Sequence, residues 1–343
     1  MNKWNEKTKL KSIELKNKVA MAPMCTYVSV NGEPNSFHVQ HYLSRAWGNV
    51  GLIIQESTGV SKLGGRIDDK SLAIYNNELA KMYIPIVEGV HKAGSKIFIQ
   101  LSHAGPRNEV KGQSWSSSEI KLSDKYEKAE EMTKEHIKEI INDFANAAKR
   151  AEEVGYDGIE IHAAHGYLLS SFISPAVNVR KDEYGKDRFL IIKEVFEAIK
   201  NKGVKIPLGI RISAIEWAVE KPNSKIEDFV KGLKPIEKYL EYIHVSSGGV
   251  LQEGINIKAV PLYQIPYAEA IKKEFPGTPI IGVGLIKTND DLNEVVSRVD
   301  IAAVGRTLLN NPMVLLKWQE NFEDDVTPRV YQVTHGGKSP WEK

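Results

Sequence analysis

The chain has 343 residues, a length that suggests one or two domains, yet no Pro/Gly/Ser-rich linker divides it. Its 46 Lys+Arg and 44 Asp+Glu residues are interspersed, for a net charge of +2, which excludes a basic stripe for nucleic acid and an acidic tail and leaves a small molecule as the expected partner. The only cysteine, Cys25, excludes an intramolecular disulfide and a cysteine-ligated iron–sulfur cluster. A polar, lysine-rich lead at 1–18 has no apolar segment suited to a signal peptide or a membrane span, so a cytoplasmic protein is expected.

Short apolar runs at 19–23, 50–55, 96–101, 158–162, 207–212, 242–246, 279–282 and 301–304 read as strands. Helical patterns lie between them at 37–47, 78–93, 133–154, 188–200, 226–240, 264–274 and 290–296, with a last helix from 312. Thr133 is the expected N-cap and Gly155 the expected stop of the longest helix. Strict alternation implies a parallel sheet, and eight units favour a single closed α/β barrel, the (β/α)8 or TIM barrel, over an open doubly wound sheet. An open sheet would also want a glycine-rich fingerprint after the first strand, where MCTY stands instead.

Barrel active sites form where the strands end, and the residues there are polar. The first strand ends in Pro23, Met24, Cys25, Thr26 and Tyr27, the second in Glu56, Ser57 and Thr58, and the third offers Gln100 and His103. After the fourth come His162, His165 and Tyr167 in DGIEIHAAHGY, two imidazoles and a phenol suited to a developing oxyanion, although a zinc pair or two core histidines would look the same. Arg211 on the fifth strand is a buried cation in need of a partner: either a phosphorylated cofactor with an electron-rich ring, whose amide edge Gln100 could read, or a structural glutamate. The sixth strand gives Ser246, Ser247, Gly248 and Gly249. Gly282 with Gly284 and Gly305 with Arg306 close the seventh and eighth, where barrel phosphate sites are commonly built. His38 and His41 in FHVQHY are expected to be structural, and no metal is expected.

The stretches LKNKVAMAPMCTY, GSKIFIQLSHAG, GYDGIEIHAAHGYLLSSFISP, IRIS, HVSSGG and AAVGRTLLNNP together resemble the Old Yellow Enzyme family of FMN-dependent ene-reductases, most closely its YqjM-like bacterial subgroup. The resemblance implies that Pro23, Met24, Cys25, Thr58, Gln100, Arg211, Ser246, Gly282, Gly284, Gly305 and Arg306 bind FMN, with Arg211 near the reducible ring and Arg306 at the phosphate. It implies that His162 and His165 grip the substrate's carbonyl or nitro oxygen, that Tyr167 donates the proton, that Cys25 tunes the flavin, and that Tyr27 offers a hydroxyl to the substrate. NADPH or NADH would be the reductant in a ping-pong cycle, and a homo-oligomer, dimer or tetramer, is implied.

The chain departs from the family pattern in four places. Pro106 interrupts HAGR, the loop after Tyr184 is short, His244 replaces a common acidic residue, and the tail at about 322–343 lacks the terminal tyrosine-arginine pattern, with Arg329 given no role in a neighbouring site. Three other readings compete. A dienoyl-CoA reductase would need a cysteine cluster, a flavin-free barrel aldolase or isomerase would want a lysine or metal at the strand ends, and a non-catalytic flavin-binding protein would differ only in turnover.

Overall fold

The structure is a computed structural model that describes residues 2–110 and 112–319. Eight parallel strands close on themselves: β1 (Val19–Met21), β2 (Leu52–Gly59), β3 (Lys96–Ser102), β4 (Gly158–Ala163), β5 (Leu208–Ser213), β6 (Leu240–Ser246), β7 (Ile280–Val283) and β8 (Ile301–Val304), with β8 hydrogen-bonded to β1 and β1 to β2. This is the expected (β/α)8 barrel. The major helices between the strands are α1 (Ser36–Trp47), α2 (Ile84–Lys92), α3 (Lys134–Val154), α4 (Leu190–Asn201), α5 (Ile226–Leu233), α6 (Ile265–Glu274) and α7 (Asn289–Arg298).

Thr133 caps α3 by accepting from the His136 N–H, and Gly155 ends it in the left-handed region at φ 98°, a conformation that costs glycine little. Two expected helices are broken by proline. The one at 78–93 splits into Asn77–Lys81 and α2, which restarts with Pro85 in its first turn. The one at 226–240 stops at Leu233 and continues as a 3-10 turn, Lys234–Tyr239, around Pro235. Proline has no N–H to continue the ladder but fits a first turn, where that donor is unused.

Alternation along the strands sorts side chains into two layers. Ile159, Ile161, Ile210, Ile212, Ile243 and Val245 face the helices in the main core, whereas Leu52, Ile54, Phe98, Tyr242, Ile281 and Ile301 fill the lower barrel interior. Phe98 and Tyr242 fit because glycine stands beside each: a Cβ on Gly158 would lie 2.3 Å from the Phe98 ring, and one on Gly209 2.3 Å from the Tyr242 ring. Large against small in one layer is how an eight-stranded barrel fills its interior.

The lead at 1–18 is more than a polar extension. Thr8–Lys9 pairs antiparallel with Glu14–Leu15, and Leu10 and Leu15 join the interior cluster beneath Tyr242 and Ile301. Glu241 secures this plug by accepting from the Ser12 and Ile13 N–H groups at 2.6 and 3.2 Å. Strand β2 also runs past its expected end, with a register shift between Gln55 and Thr58 that changes which side chain faces the interior. The tail at about 322–343, Arg329 included, lies outside the described residues.

Candidate active site

Beyond β4 the backbone turns sharply, with His165 at φ 60° and Gly166 at φ 75°. The turn stacks three side chains over the barrel mouth: His162 lies 5.3 Å from His165 and 4.6 Å from Tyr167 between ring centroids. Tyr167 begins the helix Leu168–Ile173. A cavity of about 330 Å³ opens here, lined by Pro23, Cys25, Tyr27, Ser57, Gln100, Arg107, His162, His165, Tyr167, Arg211 and Gly249.

Both imidazoles are neutral, because burial and then the charge of Arg211 hold their pKa values well below the usual histidine range. The hydrogen bonds locate their protons. His162 Nδ1 accepts from the Ala164 N–H at 3.3 Å, which puts the His162 proton on Nε2. Gln264 Oε1 accepts from the Ser247 N–H, a group that can only donate, so Ser246 must donate to that same oxygen at 2.9 Å. Ser246 Oγ therefore accepts from His165 Nε2 at 2.8 Å. In this arrangement His162 has the available donor, and the His165 proton is engaged.

Below the histidines lies a buried polar layer. Glu160 accepts from Gln100 Nε2 at 2.7 Å, Tyr242 Oη at 3.1 Å and His244 Nδ1 at 2.9 Å. Burial alone would raise the Glu160 carboxyl, but His244, Arg211 and the Gln100 amide together hold it below the usual carboxylate range. Glu160 is thus the anion that Arg211 lacks within its own strand, and the structural-glutamate alternative is partly realised. Arg211 Nε and His244 Nε2 nevertheless remain buried without a hydrogen-bond partner among the described residues. Orphaned buried polar atoms of this kind, a donor on Arg211 and an acceptor on His244, mark a place where a ligand is missing.

The end of β1 and the bulge of β2 hold each other. The Glu56 carboxylate accepts from the Thr26 N–H at 2.8 Å and from Tyr42 Oη at 3.0 Å. Desolvation raises Glu56 to about 7 and raises the Cys25 thiol to about 12, so Cys25 stands at the cavity as a neutral thiol. Tyr27, at φ 54° and 44% exposed, guards the outer edge. The register shift puts Ser57 at the cavity and buries Thr58, whose hydroxyl donates to the Glu56 carbonyl and accepts from Gln55 Nε2 at 3.2 Å. Any hold of Thr58 on a ligand therefore falls to its backbone.

The other expected binders stand outside this cavity. Met24 packs 3.3 Å from where a Gly305 Cβ would be, joining the ends of β1 and β8. Arg306 is exposed and forms no hydrogen bond or ion pair with a described residue. Gly284 adopts φ 153° beside Gln264, whereas the missing Gly282 side chain makes room for Ile265 and Val299 of the outer layer, so its absence serves helix packing. His38 is structural: its Nδ1 accepts from the Asn35 N–H in a capping box on α1. Among the described residues no group of three or more His, Cys, Asp or Glu is placed to hold a metal.

Sequence reasoning missed Arg107 and Glu160. Glu160 was visible only as the polar half of an alternating strand, and Arg107 lay beyond Pro106, in the stretch that departs from the family pattern. In the structure Gly105–Arg107 forms a 3-10 turn that delivers the guanidinium to the cavity.

The orphaned Arg211 donor, the Gln100 amide and the unpaired Arg306 fit a flavin ring and its phosphate. Fold and site thus define a flavin-binding (β/α)8 barrel. The family model of the NADH:flavin oxidoreductase / NADH oxidase family matches residues 6–325. An NADPH dehydrogenase of Clostridium acetobutylicum is 41% identical over 317 residues, covering 90% of this chain and 91% of that protein. An NADPH dehydrogenase of Bacillus velezensis is 40% identical over 313 residues, with 88% and 90% covered. Among solved structures, the Old Yellow Enzyme homologue from Zymomonas mobilis superposes with a TM-score of 0.78 at 24% identity, covering 92% of each chain. Morphinone reductase gives 0.78 at 22% identity, with 94% and 92% covered; these two similarities bear on the fold.

The chain belongs to the NADH:flavin oxidoreductase / NADH oxidase family. It is an oxidoreductase with FMN as its cofactor and a reduced nicotinamide nucleotide as its electron source, which sets aside the flavin-free barrel reading.

Proposed function

We propose that this protein is an ene-reductase that reduces the C=C bond of α,β-unsaturated carbonyl or nitro compounds in a ping-pong cycle. The observation that carries the reading is the placement of the His162 donor beside Tyr167 over a cavity floored by Gln100 and Arg211. Bound FMN would supply the hydride chemistry, taking hydride from the nicotinamide nucleotide and giving it up to the alkene.

His162 donates Nε2–H to the carbonyl oxygen, where enolate charge accumulates, as a neutral imidazole held in that tautomer by Ala164. His165 adds a second donor once its bond to Ser246 exchanges for one to substrate. Tyr167, whose phenol burial keeps well above its ordinary pKa, remains protonated and delivers the proton to the α-carbon. Arg211, with its buried Nε unpartnered, would hold the reducible ring, and Gln100, with its amide nitrogen on Glu160, would offer its carbonyl oxygen. Arg306 and the Gly284 and Gly305 turns would hold the phosphate, and Cys25 would contribute a neutral thiol.

The test is an anaerobic spectrum of the FMN-loaded protein. Bleaching by NADPH and recolouring by 2-cyclohexenone is the expected result, and bleaching without recolouring by any activated alkene would refute the reading.

A further inference from the structure

Two cations flank the histidines, and they differ in what neutralises them. Arg211 has Glu160 nearby. Arg107 is held by neutral groups: Nη2 donates to the Gly249 carbonyl, Nη1 lies 3.4 Å from Tyr126 Oη, and the Gln252 oxygen, in the amide orientation that turns it inward, lies 3.3 Å from Nη1. No described carboxylate pairs with it. Glu109, two residues on, is taken by Lys125 at 2.7 Å. The Arg107 Nε is buried without a hydrogen-bond partner among the described residues.

Arg107 lines the same cavity as His162, His165 and Tyr167. Its Nε lies 3.1 Å from where a Gly166 Cβ would stand, although the glycine itself is required by its φ of 75° and by the Val250 and Gly249 carbonyls at 2.7 and 2.9 Å. The guanidinium carbon sits 5.8 Å from the Tyr167 ring centroid. The approach is stiffly built: Gly105 at φ 60° would place a Cβ 2.6 Å from the Leu168 backbone, and Pro106 fixes the turn that carries Arg107.

We propose that Arg107 is a specificity-determining residue that binds a carboxylate on the substrate, so that the preferred alkene is an unsaturated keto acid. His162 takes the ketone oxygen and Arg107 the acid. A guanidinium lacking a counter-ion in a partly desolvated pocket favours an anion, and its unpartnered Nε supplies a charge-assisted donor to a carboxylate oxygen. This rests on the ene-reductase reading.

The FMN-loaded enzyme would be assayed with (E)-4-oxo-2-pentenoate and with its methyl ester, comparing wild type, R107M and R107K. Losing a hydrogen bond to a charged group costs roughly tenfold to a hundredfold in affinity, so R107M should lose at least about tenfold more kcat/KM on the acid than on the ester, with R107K between. Titrating the oxidised enzyme with the saturated 4-oxopentanoate, followed by flavin absorbance, should show the same weakening in R107M. Equal losses on acid and ester would make Arg107 a clamp for the Gly249 loop and overturn the proposal. A matching loss in the affinity for NADPH during flavin reduction would also overturn it, by assigning the anion to the nucleotide's phosphate. Failure of wild type to reduce either compound would instead refute the ene-reductase reading beneath it.

Discussion

His165 Nε2 lies 2.8 Å from Ser246 Oγ, and that contact makes the two active-site histidines unequal. His162 has a donor free for substrate, and His165 must first release Ser246. H162A is therefore expected to lower alkene reduction by about 10² to 10³, and H165A by less, with FMN still bound in both. Stopped-flow reoxidation of the reduced enzyme by an enone reads this directly. A larger loss in H165A would contradict the proton placement.

Tyr167 is kept well above its ordinary pKa by burial, so it stays protonated across the working pH range. Y167F should slow flavin reoxidation by the alkene by roughly 10² to 10⁴ and leave flavin reduction by NADPH at its normal rate. If both half-reactions slow alike, Tyr167 is a binding residue and the proton comes from elsewhere.

Glu56 should give the protein an inverted acid response. Desolvation raises its carboxyl from 4.5 to about 7 in the folded state, so between those values the folded chain holds a proton that the unfolded chain has lost. The contribution is full below the unfolded value and is lost as pH rises through about 7, a loss of about 3 kcal/mol. Urea unfolding at pH 5 and pH 8 should show this decline in wild type and not in E56Q. Parallel pH profiles for the two proteins would rule out Glu56 as the source.

Arg306 forms no ion pair with a described residue, so its removal should cost cofactor and spare the fold. R306A is expected to lose FMN on gel filtration while keeping its far-UV circular dichroism and its cooperative thermal transition, because a charge-assisted phosphate contact is among the stronger hydrogen bonds. Full flavin content after filtration would place the phosphate elsewhere.

Gly158 is required by the Phe98 ring 2.3 Å from its Cβ position. G158A should therefore destabilise the barrel by about 1 to 3 kcal/mol through overpacking. Combining it with F98L should recover part of that loss in thermal unfolding. No recovery would mean that the backbone, and not the ring, sets the requirement.

The sequence by itself determined the barrel. Eight apolar runs alternating with helical periodicity leave little other way to bury both faces of each strand, and Thr133 and Gly155 mark the ends of α3 through local chemistry that needs no distant partner. The same locality put His162, His165 and Tyr167 together, since six residues at the end of one strand cannot separate far. Local rules also explain the misreadings: a proline inside an apolar period looks helical until the lost N–H is counted, as at Pro85 and Pro235. The lead at 1–18 looked polar because Leu10 and Leu15 find their apolar neighbours only across the closed barrel.

What the tertiary structure decided is which polar groups satisfy one another. Glu160 meets His244 and Tyr242 from two strands away in the sequence, Ser246 accepts from His165 only because its own hydroxyl donates to Gln264, and Arg107 reaches Tyr167 from another strand's loop. Hydrogen bonds and charges act over a few ångströms with fixed directions, and side chains separated by dozens of residues come within that range only when the sheet closes.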